Sequence, residues 1–173
     1  MVTVETAIRE ITADSLETSV DIIRRAFGVV ADEMGFTEAN ASVYPAFTTV
    51  PRLKELLYKC DVFFGMFSGA RQVGFVAVEK EGRGVYKMRR LAVLPELWHV
   101  GLGRRLTDFV IDYVKRKSGR KLEIALVNEQ TVLKDWYRNM GFHEVSVKRY
   151  KGLPFSVCFM EMEISDSGAG SGH

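Results

Sequence analysis

The stretch LAVLPELWHVGLGRRL, residues 91–106, decides the fold. Leu91, Ala92 and Val93 close an apolar strand, Pro95 ends it, and Gly101 and Gly103 lead into a helix. Behind the glycines, Leu102, Leu106, Phe109, Val110, Tyr113 and Val114 recur at helical spacing and form one apolar stripe over 102–117. LEIALV, 122–127, follows as a strand. Strand, helix and strand in that order make a crossover between two strands of one sheet.

The flanking sequence extends that sheet. VFFGMFS (62–68), QVGFVAVEK (72–80) and VYKMRRLAVL (85–94) form a meander of strands joined by the turn-like SGAR and EGRG. Upstream, Val2, Val4, Thr6 and Ile8 alternate as a first strand, and Asp14 with Glu17 reads as a capping box opening a helix over 15–31. Residues 32–50 have no clear period, and Pro51 starts a second helix that runs to about Lys59. Downstream, 131–140 is a short helix closed by Gly141, and 143–150 and 156–164 are a final pair of strands. The expected fold is α/β, a mixed central sheet of about seven strands flanked by about four helices. Residues 1–164 make a single domain, and 165–173, SDSGAGSGH, a flexible tail.

Composition narrows the function classes. The chain has 173 residues, 47% of them hydrophobic and 27% charged, the balance of a globular domain. Two cysteines, Cys60 and Cys158, are too few for a disulfide framework, and three histidines show no zinc-ligand spacing, so no metal is expected. No apolar run approaches the roughly 20 residues of a membrane span. The N-terminus lacks the basic-then-apolar pattern of an export signal, so a cytoplasmic location is expected.

The net charge of +2 conceals an uneven distribution, because residues 83–121 hold 11 basic and only 3 acidic side chains. That segment surrounds the glycine loop. A glycine loop entering a helix presents unpaired backbone N–H groups, and an anion can approach them without meeting a Cβ. Arg104 and Arg105 add positive charge in the first turn, where it opposes the helix dipole. Neither common nucleotide loop is present. GxxxxGK[ST] does not occur, and the third glycine of GxGxxG would fall on Leu106.

PELWHVGLGRRL resembles motif A of the GNAT superfamily of N-acetyltransferases, Q/R-x-x-G-x-G/A, with Gly101 and Gly103 on the glycine positions and Trp98 in place of Gln or Arg. WYRNMGF, 136–142, resembles the family's motif B, a helix ending in (L/W)-Y-x-x-x-G-F. The resemblance implies that acetyl-CoA, or coenzyme A, is bound as co-substrate. Its pyrophosphate would rest on Trp98, His99, Val100, Gly101, Leu102, Gly103, Arg104 and Arg105. Its pantetheine arm would pair with Leu91, Ala92 and Val93 and meet Asn128, Gln130, Leu133 and Tyr137. The resemblance also makes Tyr137 the catalytic acid that protonates the departing thiolate. The implied reaction is direct transfer of an acetyl or acyl group, in a ternary complex, to an amine of a small molecule or a protein. A backbone N–H near Val93 would polarise the thioester carbonyl.

The general base stays open. Members often carry a carboxylate just before the Leu-Ala-Val segment, where this chain has Lys87, Arg89 and Arg90. Glu33, Glu38 and Glu96 are the acids considered instead. The acceptor site is expected between the 28–50 loop, strand 85–90 and the last hairpin, with Tyr150, Phe155 and Phe159 as an apolar rim. Arg89 and Arg90 there would suit an acceptor with a carboxylate or phosphate. The competing reading is a non-catalytic acyl-CoA-binding module of the same fold. Nucleic acid is not expected as a partner, because no helix-turn-helix or RNA-binding signature is present. Many GNAT members are dimers, which makes a homodimer an expectation.

Overall fold

The structure is a computed structural model that describes residues 5–165. The strands are β1 (Ala7–Ile11), β2 (Val62–Ser68), β3 (Arg71–Gly82), β4 (Val85–Val93), β5 (Lys121–Val127), β6 (His143–Arg149) and β7 (Ser156–Glu163). They form one sheet in the order β1-β2-β3-β4-β5-β7-β6. Every pair is antiparallel except β4 with β5, which the helix crossover makes parallel. The mixed seven-stranded sheet expected from the sequence is therefore present.

The helices are α1 (Leu16–Met34), α2 (Glu38–Ala41), α3 (Val50–Lys59), α4 (Leu102–Arg116) and α5 (Thr131–Asn139). Four match the sequence reading, and α2 adds a single turn within the stretch that had no period. Its signal is chemical rather than periodic: Thr37 accepts from the Asn40 N–H, and the Asn40 side chain accepts from the Thr37 N–H. The capping box expected at Asp14 and Glu17 does not form. Asp14 lies in a 3-10 turn, and Ser15, the N-cap of α1, makes no side-chain cap bond. The helix also runs on past residue 31 to Gly35, whose φ of +73° supplies the left-handed stop. The first strand begins at Ala7 among the described residues, later than the alternation predicts. Val2, Val4 and the tail residues 166–173 lie outside the described residues.

Apolar side chains fall into two clusters. The main core packs Phe63, Met66, Phe75, Leu106, Val110, Val114, Leu122 and Met160 between the sheet, α1 and α4. A second cluster joins the end of α1 to α2 and the start of β7. In it Phe36 meets Tyr44 at 5.0 Å and Phe155 at 4.9 Å between ring centroids.

The turn between α4 and β5 is tightly packed. A Cβ on Gly119 would clash with Val114 Cγ1 and stand 2.9 Å from the Tyr86 ring, and both neighbours are buried. Gly119→Ala is therefore expected to destabilise the fold by about 2 kcal/mol. The check is a lower urea midpoint with an unchanged m-value, and an unshifted midpoint would show that the turn has slack.

Candidate active site

Two features open a cleft in the middle of the sheet. β4 pairs with β5 only over Val85–Lys87 against Lys121–Glu123. Beyond that the strands separate, so the β4 edge facing β5 has no strand partner among the described residues. A bulge lies just past the separation: β3 steps from Ala77 to Phe75 while β4 passes from Arg89 to Ala92, and Arg90 takes φ +55°. An unpartnered strand edge carries backbone donors and acceptors at regular spacing, which an extended ligand with amide groups can meet.

The resulting cavity measures about 1050 Å³. Its walls include Leu91, Ala92 and Val93 from β4, and Ile124 to Val127 from β5. At one end lies the glycine loop. His99 and Gly101 both have positive φ, +66° and +88°, which turn the chain sharply into α4. Gly101 is the N-cap of α4 and offers no side-chain cap, so the first N–H groups of the helix have no side-chain partner from that residue. Gly103 sits against Trp136, where a Cβ would stand 3.4 Å from the indole. That is ordinary van der Waals distance, so the start of α4 lies close to Trp136 of α5 without Gly103 being needed for the approach.

Tyr137 also lines the cavity. It is buried, with its ring stacked edge-on between Trp136 at 4.9 Å and Phe142 at 5.4 Å. Burial pushes its phenol well above the usual range, so it stays protonated at any physiological pH.

The structure brings twelve of the fifteen residues expected at the site onto the cavity wall: Leu91, Ala92, Val93, Trp98, His99, Gly101, Leu102, Gly103, Arg104, Gln130, Leu133 and Tyr137. Three lie elsewhere. Val100 is exposed and off the cavity. Arg105 turns away, and its guanidinium donates to the Thr6 carbonyl at 2.8 Å. Asn128 lies behind the wall, where its Oδ1 accepts from the buried Lys134 ammonium at 2.7 Å. Trp98 does line the cavity, but its indole N–H is spent on the Val93 carbonyl, 2.7 Å away. It ties the loop back onto the end of β4.

The basic surplus of 83–121 is largely dispersed. Lys87 pairs with Glu81, Arg89 with Glu79 and Lys121 with Glu161. Lys115 and Arg116 occupy the last turn of α4, about 20 Å from the loop at 1.5 Å per residue. Arg90 and Arg104 are the two members of that surplus on the cavity wall.

Among the acids, Glu96 is held by Arg25 and Arg71 at 2.9 and 3.0 Å, outside the cavity. Glu33 lines the cavity and Glu38 does not. Glu129, not singled out in the sequence, also lines it. Burial resists its ionisation, but the Ser156 N–H and hydroxyl, at 3.0 and 2.8 Å, hold its carboxyl below the usual range. Its only sequence signal is its place between Asn128 and Gln130 at the end of a strand. Of the expected apolar rim, Tyr150 and Phe155 line the cavity, while Phe159 lies under Lys148 on the last hairpin.

No group of metal-ligating side chains occurs among the described residues, and no described helix is long and apolar enough to cross a membrane. Residues 60–144 match the family model described as an acetyltransferase (GNAT) domain. The ribosomal-protein-S18-alanine N-acetyltransferase from Escherichia coli superposes with a TM-score of 0.75 at 16% identity, covering 96% of this chain and 99% of that one. The PaiA N-acetyltransferase from Thermoplasma acidophilum, solved in complex with coenzyme A, gives 0.75 at 19% identity, covering 92% and 99%. At these identities the likeness speaks for the fold. The UPF0157 protein YqkA from Bacillus subtilis (strain 168) is 29% identical over 116 residues, 64% of this chain. The chain spans about a third, 33%, of that curated relative.

Proposed function

We infer, from the premise that the chain belongs to the GNAT acetyltransferases, that it moves an acetyl group from coenzyme A to an amine. One observation carries the reading: the unpartnered β4 edge, the glycine-capped start of α4 and a protonated Tyr137 line one cavity. Acetyl-CoA fits this cleft by chemistry, since its pantetheine arm is an amide chain and its pyrophosphate an anion. Bound there, it supplies the thioester whose carbonyl carbon the amine attacks.

Leu91, Ala92 and Val93 would hold the pantetheine amides along β4, with Gln130 and Leu133 closing over them. The N–H groups of Leu102, Gly103 and Arg104 would receive the pyrophosphate, with the Arg104 guanidinium beside them. An N–H near Val93 would polarise the thioester carbonyl. Trp98 would act on the backbone, by fixing the Val93 carbonyl, and not on the phosphate. As the C–N bond forms and the C–S bond breaks, Tyr137 would donate to the departing sulfur. Most of the acceleration in this scheme comes from alignment. Glu129, held ionised, is a weak proton acceptor but a constant negative charge that draws an ammonium into the cavity. The cytoplasmic location and the homodimer read from the sequence belong to this proposal.

The test pairs calorimetric titration of coenzyme A with thiol release from acetyl-CoA across a panel of small amines and peptides. Saturable binding and amine-dependent thiol release are expected. Binding without turnover on any amine would leave the non-catalytic module as the better reading.

A further inference from the structure

The acceptor end of the cavity carries a charge pattern that the acyl-transfer reading does not use. Arg90 lines the cavity, and its guanidinium donates to Thr48 Oγ1. That hydroxyl is already committed as a donor to Pro45 O, and Pro45 also lines the cavity. Arg24 donates to the Thr48 carbonyl at 3.0 Å, and Arg52 to the carbonyls of Ser42 and Phe47 at 3.2 and 3.3 Å. None of these three arginines forms an ion pair among the described residues. Neighbouring Arg89, by contrast, is neutralised by Glu79.

Holding Arg90 there is costly. Burial disfavours its charge, and Arg89 and Arg52 repel it. Its backbone is left-handed, a conformation that non-glycine residues seldom adopt. A neutral donor would serve Thr48 equally well, so the hydroxyl does not account for a guanidinium. An anion arriving from the cavity offsets burial and repulsion together. Glu33 and Glu129 supply the opposite charge on the cavity lining, and Phe27, Met34, Tyr44, Leu153 and Phe155 add apolar surface to it.

We propose that the acceptor is a zwitterion, an amine that also carries a carboxylate and an apolar side chain, and that Arg90 binds its carboxylate. The proposal rests on the acyl-transfer reading. In the reaction the ammonium first loses one proton to solvent or base, which frees the lone pair. The nitrogen then gains the acetyl carbon as the C–S bond breaks, its second proton leaves the same way, and the thiolate takes up one proton, so one proton is released overall. The acceptor's carboxylate takes no part and remains ionised in the product.

The experiment compares leucine and phenylalanine with their amides, which keep the amine and side chain and lose the charge. An aminoalkyl phosphate is included as a second anion. The acids are expected to exceed the amides in kcat/KM by about tenfold to 100-fold, the range of a charge-assisted hydrogen bond. Arg90→Gln should erase that preference through the acceptor KM, with the KM for acetyl-CoA unchanged. If Arg90→Gln does not fold, Arg90→Lys should retain part of the preference. Calorimetry of N-acetylphenylalanine against its amide on the protein saturated with coenzyme A reads the same contrast without turnover. Amides that equal or exceed the acids overturn the proposal and leave acyl transfer standing, and a preference for the phosphate overturns the carboxylate. No thiol release with any amine overturns both, and calorimetry with coenzyme A shows whether the cofactor site survives.

Discussion

Replacing Tyr137 with phenylalanine should lower kcat about 100-fold or more, the scale of a lost general acid, and leave the affinity for acetyl-CoA unchanged. The ring sits in an aromatic stack with Trp136 and Phe142 that phenylalanine preserves, so the fold should tolerate the change. In the proposed role the hydroxyl acts only when charge appears on sulfur, so its removal should lower kcat and kcat/KM together and spare ground-state binding. Burial of the phenol adds a pH signature. An acid whose pKa is raised keeps its proton to higher pH, so the alkaline limb of the rate profile should lie above the ordinary phenol range, about 10. Steady-state kinetics of the variant, with calorimetry for binding, tests both parts. Unchanged kcat would remove Tyr137 from the chemistry, and an alkaline fall near neutrality would assign the limb to another group.

The second large effect is expected at Gly101. Its φ of +88° is strained for any L side chain and most for a β-branched one, while nothing lies within 4 Å of a Cβ built there. Gly101→Val therefore tests the backbone and not a clash. Relaxing the loop would turn the first N–H groups of α4 away from the anion, and strain of about 1–3 kcal/mol corresponds to roughly 5- to 150-fold weaker coenzyme A binding. Gly101→Asn, which enters left-handed conformations more readily, should lose less. Equal affinities for all three proteins in a calorimetric titration would show that the loop does not hold the phosphates.

The strands and the long helices were legible because their side chains repeat with the period of the element that buries them. The α4 stripe and the meander of β2, β3 and β4 are of this kind. The single turn of α2 was not, and the start of the first strand was read early. β1 takes its limits from pairing with β2, a contact distant in sequence, and α2 is declared by two side chains and no period. In the site, the loop and Tyr137 carried motif signals. Arg104 and Arg105 looked equivalent as adjacent cations, but one helical step of about 100° separates their directions, and only one meets the cavity. Asn128 was a reasonable ligand by position, and the Lys134 ammonium that claims it lies six residues away on α5. The charge surplus misled for the same reason: composition counts side chains, and ion pairs with β3 and β7 settle where their charge is felt.

The separate aromatic cluster around Phe36, Tyr44 and Phe155 has a consequence for how such a protein can change. It furnishes much of the acceptor end of the cavity yet packs chiefly on itself, while the sheet, α4 and the glycine loop rest on the main core. Substitutions in it should reshape that end of the cavity with little effect on the strand edge and the loop. The scaffold thus behaves as a fixed chassis with an exchangeable cassette. Selection can retune which amine is admitted without renegotiating how the acyl donor is held.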